Sequence, residues 1–231
     1  MATLQGPFKH RPFQTSTVPK KDGTWCIIMD FSARSSSIND HISKDDYTLH
    51  YTTFDHALIL VARHGQNALM AKLDIKRALC LCPVCLENHK LLGIDWNGHF
   101  YVDFRLAFGL WSSPYLLNRL ADAFQWILTH NYHIHDLMHY LDDYFTVGPA
   151  NSSLCAINVP TIVCVASHLG IPLAPDKLKG PTSLMFLGIT IDTTCMETSL
   201  PADKLCGLLV ELQSLSSCKK NVLAKALGMC S

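Results

Sequence analysis

The sequence predicts an α+β fold in which hairpin-forming strands and amphipathic helices share one chain. Three observations predict it. Asp22-Gly23 and Asn97-Gly98 each separate two extended or alternating runs, and such pairs tolerate the positive φ that a tight hairpin loop demands. Stretches 52–64 and 114–130 repeat apolar residues at helical spacing. Residues 139–147, His-Tyr-Leu-Asp-Asp-Tyr-Phe-Thr-Val, form an apolar, aromatic and β-branched run with two adjacent acids at its centre. That pattern reads as a buried strand bent into a tight hairpin with Asp142 and Asp143 at the turn.

Composition sets the bounds. Of 231 residues, 48% are hydrophobic and 16% charged, which suits a packed core and excludes a mainly disordered chain. The formal charge is zero and the pI about 7.2, so no global basic excess marks a nucleic-acid binder. Apolar runs fall short of the ~20 residues that span a bilayer, and no signal peptide opens the chain. No membrane partner is expected. The ten cysteines are scattered through strand-like and helical stretches and read as reduced thiols, placing the chain inside the cell, in cytoplasm or nucleus.

Along the chain, 1–17 reads as an extended arm. A hairpin then turns at Asp22-Gly23, with Lys20 and Lys21 at its mouth, either meeting an anion or merely solvated. Residues 32–50 are rich in Ser, Asp and Asn and read as loop. A helix over 52–64 follows, with Thr53 as N-cap and Leu58, Val61 and Ala62 inward. Residues 69–74 are a short apolar strand ending in Asp74, and 75–81 continue as a turn. A hairpin at Asn97-Gly98 and a helix over 114–130, with Leu116, Leu117, Leu120, Phe124 and Ile127 on one face, come next. The helix of 154–169 contains Pro160, which predicts a kink or a later start. Residues 186–192 read as one strand with a partner at 196–200, and the pattern is helical from Pro201 on.

Three groups carry candidate chemistry. Burying charge without a partner costs several kcal/mol, so Asp142 and Asp143 are either exposed at a hairpin tip or hold a metal. Asp74, a second acid at the end of a core strand, favours the metal. Cys80, Cys82 and Cys85 lack a matching Cys/His pair at zinc spacing, and His130, His133, His135 and His139 read as histidines in a polar loop rather than ligands.

Taken together, Lys72-Leu73-Asp74-Ile75-Lys76-Arg77-Ala78, Phe108-Gly109-Leu110 with Ser113-Pro114, Tyr140-Leu141-Asp142-Asp143 and Phe186-Leu187-Gly188-Ile189 resemble, in order and spacing, successive motifs of reverse transcriptases. The Trp25 hairpin and 172–177 make the wording most similar to polymerases of DIRS-type (tyrosine-recombinase) retrotransposons, over about residues 8–220.

The resemblance implies a right-hand polymerase fold: fingers in 1–50 and 85–110, an antiparallel palm sheet backed by helices in 51–84 and 111–199, and a truncated thumb from 200. It implies an RNA-directed DNA polymerase that takes an RNA or DNA template with a DNA primer and deoxynucleoside triphosphates. Asp74 and Asp142 would hold two Mg²⁺ (or Mn²⁺) ions, with Asp143 beside them and the Ile75 carbonyl as a further ligand. Lys20 and Lys21 would close over the triphosphate, assisted by the amides of Lys76 and Arg77. Leu79 and Gly109 would border the nucleotide, Lys177 would protonate the leaving pyrophosphate, and Phe186, Leu187 and Gly188 would grip the primer.

Five positions depart from the family's wording. Cys26 stands where an arginine follows the tryptophan, Leu79 where an aromatic excludes a ribose 2′-hydroxyl, Ala107 where a proline precedes Phe108, Trp111 where a residue is basic, and Cys80 where related elements carry arginine. A lost charge-assisted contact costs about 1.5–3 kcal/mol. Two alternatives therefore accompany the polymerase reading. One is a decayed nucleic-acid-binding relic; the other is a metal-dependent nuclease using the same acids, although no separate acidic cluster stands for the ribonuclease H of a parent polyprotein.

Overall fold

The computed structural model describes residues 2–3, 14–19, 23, 25–32, 37–96, 98–174 and 182–214. In chain order the elements are β1 (Ala2–Thr3), β2 (Gln14–Pro19), β3 (Trp25–Asp30), α1 (Phe54–His64), β4 (Leu69–Asp74), β5 (Gly93–Trp96), β6 (His99–Val102), α2 (Ser113–Tyr132), β7 (Leu137–Tyr140), β8 (Asp143–Gly148), α3 (Leu154–His168), β9 (Ser183–Phe186), β10 (Ile189–Asp192), β11 (Glu197–Ser199) and α4 (Ala202–Ser214). Among the described residues they build four antiparallel sheets, ordered β1-β6-β5, β2-β3, β4-β8-β7 and β9-β10-β11. No helix among the described residues is long and apolar enough to cross a membrane.

The sheet that matters for the site is β4-β8-β7. Its middle strand, β8, alternates direction residue by residue, and both directions lead into apolar packing. Tyr144 points into a cluster with Leu73, Ala121, Phe124, Leu128, Ile162 and Val165, so α2 and α3 cover that face. Phe145 points the other way, to Ala57 and Val61 of α1, Met70, Leu184, Phe186 and Ile191. A strand buried on both faces reads as a continuous apolar run, which is how 144–147 looks in sequence. Burying one such side chain contributes about 1.5–3 kcal/mol. The Tyr144 hydroxyl is satisfied by donating to the Ala121 carbonyl at 2.9 Å.

Several sequence expectations hold. The strand at 69–74 is β4. β5 and β6 pair as the expected hairpin, Trp96 opposite His99, although Asn97 of its turn lies outside the described residues. Thr53 caps α1 in a reciprocal capping box with His56, whose Nδ1 receives the Thr53 N–H at 3.1 Å.

Others are corrected. Residues 186–192 are not one strand: Leu187 and Gly188 both take positive φ, 47° and 82°, and turn the chain between Phe186 and Ile189, which pair directly. Successive positive φ values match the twist of a two-residue hairpin. Ala62 of α1 and Leu116 of α2 are exposed, and the buried positions are Ala57 and Val61, and Leu117, Ala121, Phe124 and Leu128. Pro160 does not delay α3, which starts at Leu154 and runs through it. The buried set Cys155, Ile162, Val165 and Ala166 continues past the proline, so packing outweighs one missing hydrogen bond. Chain beyond 214, including most of the expected thumb, lies outside the described residues.

Candidate active site

Strand register brings the acids together. Asp74 ends β4 with its Cα opposite that of Asp143, and the Ile75 N–H donates to the Asp142 carbonyl at 2.9 Å. Tyr140 and Asp143 are paired, which leaves Leu141-Asp142 as a two-residue loop. Leu141 sits at φ 54°, a region that costs a residue with a Cβ about 1–2 kcal/mol. The loop therefore holds a locally strained backbone beside two carboxylates. Asp74, only 6% exposed, and Asp142 both line one cavity of about 1000 Å³, together with Ile75, Arg77, Leu79 and Gly109.

Asp143 behaves differently. Its Oδ2 accepts from Lys72 Nζ at 2.8 Å, and it is absent from the described lining of the cavity. Burial pushes its carboxyl above the usual range; the Lys72 ammonium opposes this, and the neighbouring Asp74 carboxylate adds to the rise. Lys72 thus meets Asp143, while Asp74 and Asp142 line the cavity. Among the described residues no group of three or more His, Cys, Asp and Glu side chains is gathered as a metal cluster. Two carboxylates, those of Asp74 and Asp142, line the cavity together with Ile75. Like charges crowded at a buried strand end, with oxygen donors only, fit Mg²⁺ or Mn²⁺ rather than a softer ion.

The remaining sequence-predicted residues divide. Leu79, 8% exposed, and Gly109 border the cavity. Gly109 makes its close backbone approach to β3: a Cβ built on it would fall on the Met29 carbonyl oxygen. The Lys76 N–H donates to the Pro172 carbonyl at 2.8 Å, so this amide is spent within the fold and only the exposed side chain is left to meet an anion. Arg77 adopts φ 54° and lines the cavity. Phe186 is fully buried against Phe145 and cannot touch a primer with its ring. The half-buried part of that motif is the Leu187-Gly188 turn, where Lys204 Nζ donates to the Gly188 carbonyl at 3.3 Å. Lys20, Lys21 and Lys177 lie outside the described residues, as does the side chain of Cys26.

Sequence reasoning missed Lys72, Asn39 and Lys44. A lysine inside the apolar run Leu-Met-Ala-Lys-Leu-Asp was the one available signal for the first. Asn39 ties a remote loop: its Nδ2 donates to the Gly109 carbonyl at 2.9 Å and its Oδ1 accepts from the Trp111 N–H at 2.8 Å. Tyr51 stacks on Tyr140, centroids 5.0 Å apart, at the base of the acid hairpin. On the opposite face of that hairpin, His139 stacks on Tyr144, and its Nδ1 lies 2.6 Å from Gln125 Oε1.

No protein-family model matches the chain, and no curated protein does. Among solved structures, the chain is similar to a foamy viral protease-reverse transcriptase in complex with double-stranded DNA, with a TM-score of 0.69 at 19% identity over 94% of this chain and 41% of that one. The fold is reverse transcriptase-like. The same protein with an RNA/DNA hybrid aligns at a TM-score of 0.66 and 19% identity, over 94% of this chain and 27% of that one. Prototype foamy virus protease-reverse transcriptase alone gives 0.58 and 20%, over 94% and 29%. The chain spans less than half the length of these relatives.

Proposed function

We propose that this chain is the fingers, the palm and the start of the thumb of an RNA-directed DNA polymerase, most similar to those of DIRS-type retrotransposons. Residues 1–50 and 85–110 are the fingers, 51–84 and 111–199 the palm, and 200–231 the start of the thumb. One observation carries the reading: Asp74 and Asp142, 68 positions apart in the chain, border one cavity beside a strained turn. In this reading the primer 3′-oxygen attacks the α-phosphorus of a deoxynucleoside triphosphate, the bond to pyrophosphate breaks, and the hydroxyl proton passes to solvent water. Two Mg²⁺ or Mn²⁺ ions held by Asp74, Asp142 and the Ile75 carbonyl would supply a lowered hydroxyl pKa and offset charge on the leaving group. Lys72 holds the Asp143 carboxyl through its 2.8 Å hydrogen bond and opposes the rise that burial imposes on it. Lys20 and Lys21 approach the triphosphate, and Lys177 supplies a proton to pyrophosphate.

A second reading, the decayed relic, is favoured by what else lines the cavity: Leu79, Cys80 and Trp111 are uncharged where the resembled motifs carry aromatic or basic groups. Primer extension on a template–primer duplex with Mg²⁺ or Mn²⁺ separates the two. Incorporation that disappears in Asp142→Asn supports the polymerase; product no greater than in that variant favours the relic. Cleavage of an RNA–DNA hybrid without incorporation would point to a nuclease.

A further inference from the structure

Part of the cavity wall is neither acidic nor used by the proposed chemistry. Lys44 Nζ lies 4.8 Å from the centroid of the Trp111 ring, and both residues line the cavity. Trp111 is 46% exposed, so the indole is partly open to a ligand. Its loop is held at two points by one side chain. Asn39 grips the Trp111 N–H and the Gly109 carbonyl, and Asn39 Nδ2 also reaches Ser32 Oγ at 2.9 Å. Tyr47 and Tyr115, edge to face at 5.5 Å, extend the same wall. An aromatic face on a fixed loop, with an ammonium over it, is a place for a flat π-system carrying negative charge.

We infer that Trp111 and Lys44 form a stacking platform for an unpaired nucleotide of a nucleic-acid strand, with the base on the indole and the ammonium turned to the adjoining phosphate. A polynucleotide is the better match than a single nucleotide. The triphosphate of a single nucleotide belongs with the ions at the acids, whereas a strand offers a phosphate at every base step, including one at this second wall. Stacking does not read sequence, because every base has a π-face. The cation missing from position 111 is thereby restored in space by a residue 67 positions away. The inference rests on the polymerase reading for its direction, and its test needs no catalysis.

The test is fluorescence anisotropy of labelled oligonucleotides with the full chain in EDTA, comparing a blunt duplex with the same duplex carrying a single-stranded 5′ overhang. Trp111→Ala is expected to weaken overhang binding about 5- to 100-fold and to leave the blunt duplex within about twofold. Trp111→Phe retains most of the affinity. Lys44→Ala lowers the dependence of log affinity on log salt by about one, and Lys44→Arg restores it. Unchanged thermal unfolding in the variants excludes misfolding. Equal losses on blunt and overhang substrates, or no loss on either, overturn the platform. So does quenching of Trp111 by a deoxynucleoside triphosphate without any effect of Trp111→Ala on strand binding. Asp142→Asn keeps the overhang preference, so failure of the polymerase reading and failure of the platform leave different records.

Discussion

At Gly109 the backbone stands at φ 97°, and an added Cβ would meet the Met29 carbonyl oxygen of β3. Backbone cannot swing aside as a lysine tip can. Gly109→Ala therefore combines a disfavoured φ with overpacking and should destabilise the chain by about 2–4 kcal/mol, read from the shift in a urea unfolding midpoint. Gly188, where the atom in the way is the flexible end of Lys204, should tolerate alanine with a smaller loss despite its φ of 82°. His139 gives a pH signature. Burial lowers its pKa from the ordinary 6.5, and the Asp122 carboxylate, 3.5 Å from Nε2, opposes this without prevailing. The unfolded chain then takes up the proton more readily than the folded one. Stability is fully present above about pH 6.5 and falls as pH drops toward the lowered folded value, by at most about 1.4 kcal/mol per pH unit. His139→Gln, which keeps a polar partner for Gln125, should flatten that slope below pH 6.5 in urea titrations. A slope unchanged in His139→Gln would assign it elsewhere.

Among the elements, α3 carries a removable defect. Pro160 is exposed in mid-helix, where it takes away one backbone hydrogen bond and crowds the preceding turn. Pro160→Ala should restore the bond and stabilise the chain by about 1–2 kcal/mol, less than the full helix-interior penalty because proline also restrains the unfolded chain. A melting temperature that falls instead would show that the proline shapes how α3 packs on β8. The same scale explains what was legible in the sequence. β4, the acid hairpin and α1 could be read because period and turn chemistry are local properties of a few adjacent residues. The turn at Leu187-Gly188 escaped because leucine is a poor signal for positive φ, and the apolar residues on both sides imitate one continuous strand. Asn39 and Lys44 escaped for another reason. Their partners Gly109 and Trp111 lie 67 to 72 positions away, and a Ser- and Asp-rich loop has no period from which a tertiary contact could be inferred.

For the molecule as a whole, the formal charge is zero, so local charge decides what it binds. The end of β4-β8-β7 carries Asp74, Asp142 and Asp143, the last of them against Lys72, and this arrangement is held in place by the folding of both faces of the sheet. Unfolding separates Asp74 from Asp142 and dissolves the site. A divalent ion that binds the assembled acids therefore binds the folded chain in preference to the unfolded one and must raise its stability. At a free concentration 100 times the dissociation constant the gain is about 2.7 kcal/mol, which for a chain of this size corresponds to a rise of roughly 5–10 °C in melting temperature. Mn²⁺ or Mg²⁺ titrated into the chain should produce that rise, saturating, with K⁺ at equal ionic strength as the control. Asp142→Asn removes one donor and should abolish most of it, whereas Asp143→Asn, whose carboxylate already faces Lys72, should leave more of the response intact. If both variants respond as the unaltered chain does, the ion binds elsewhere and the carboxylates at the cavity have some task other than holding metal.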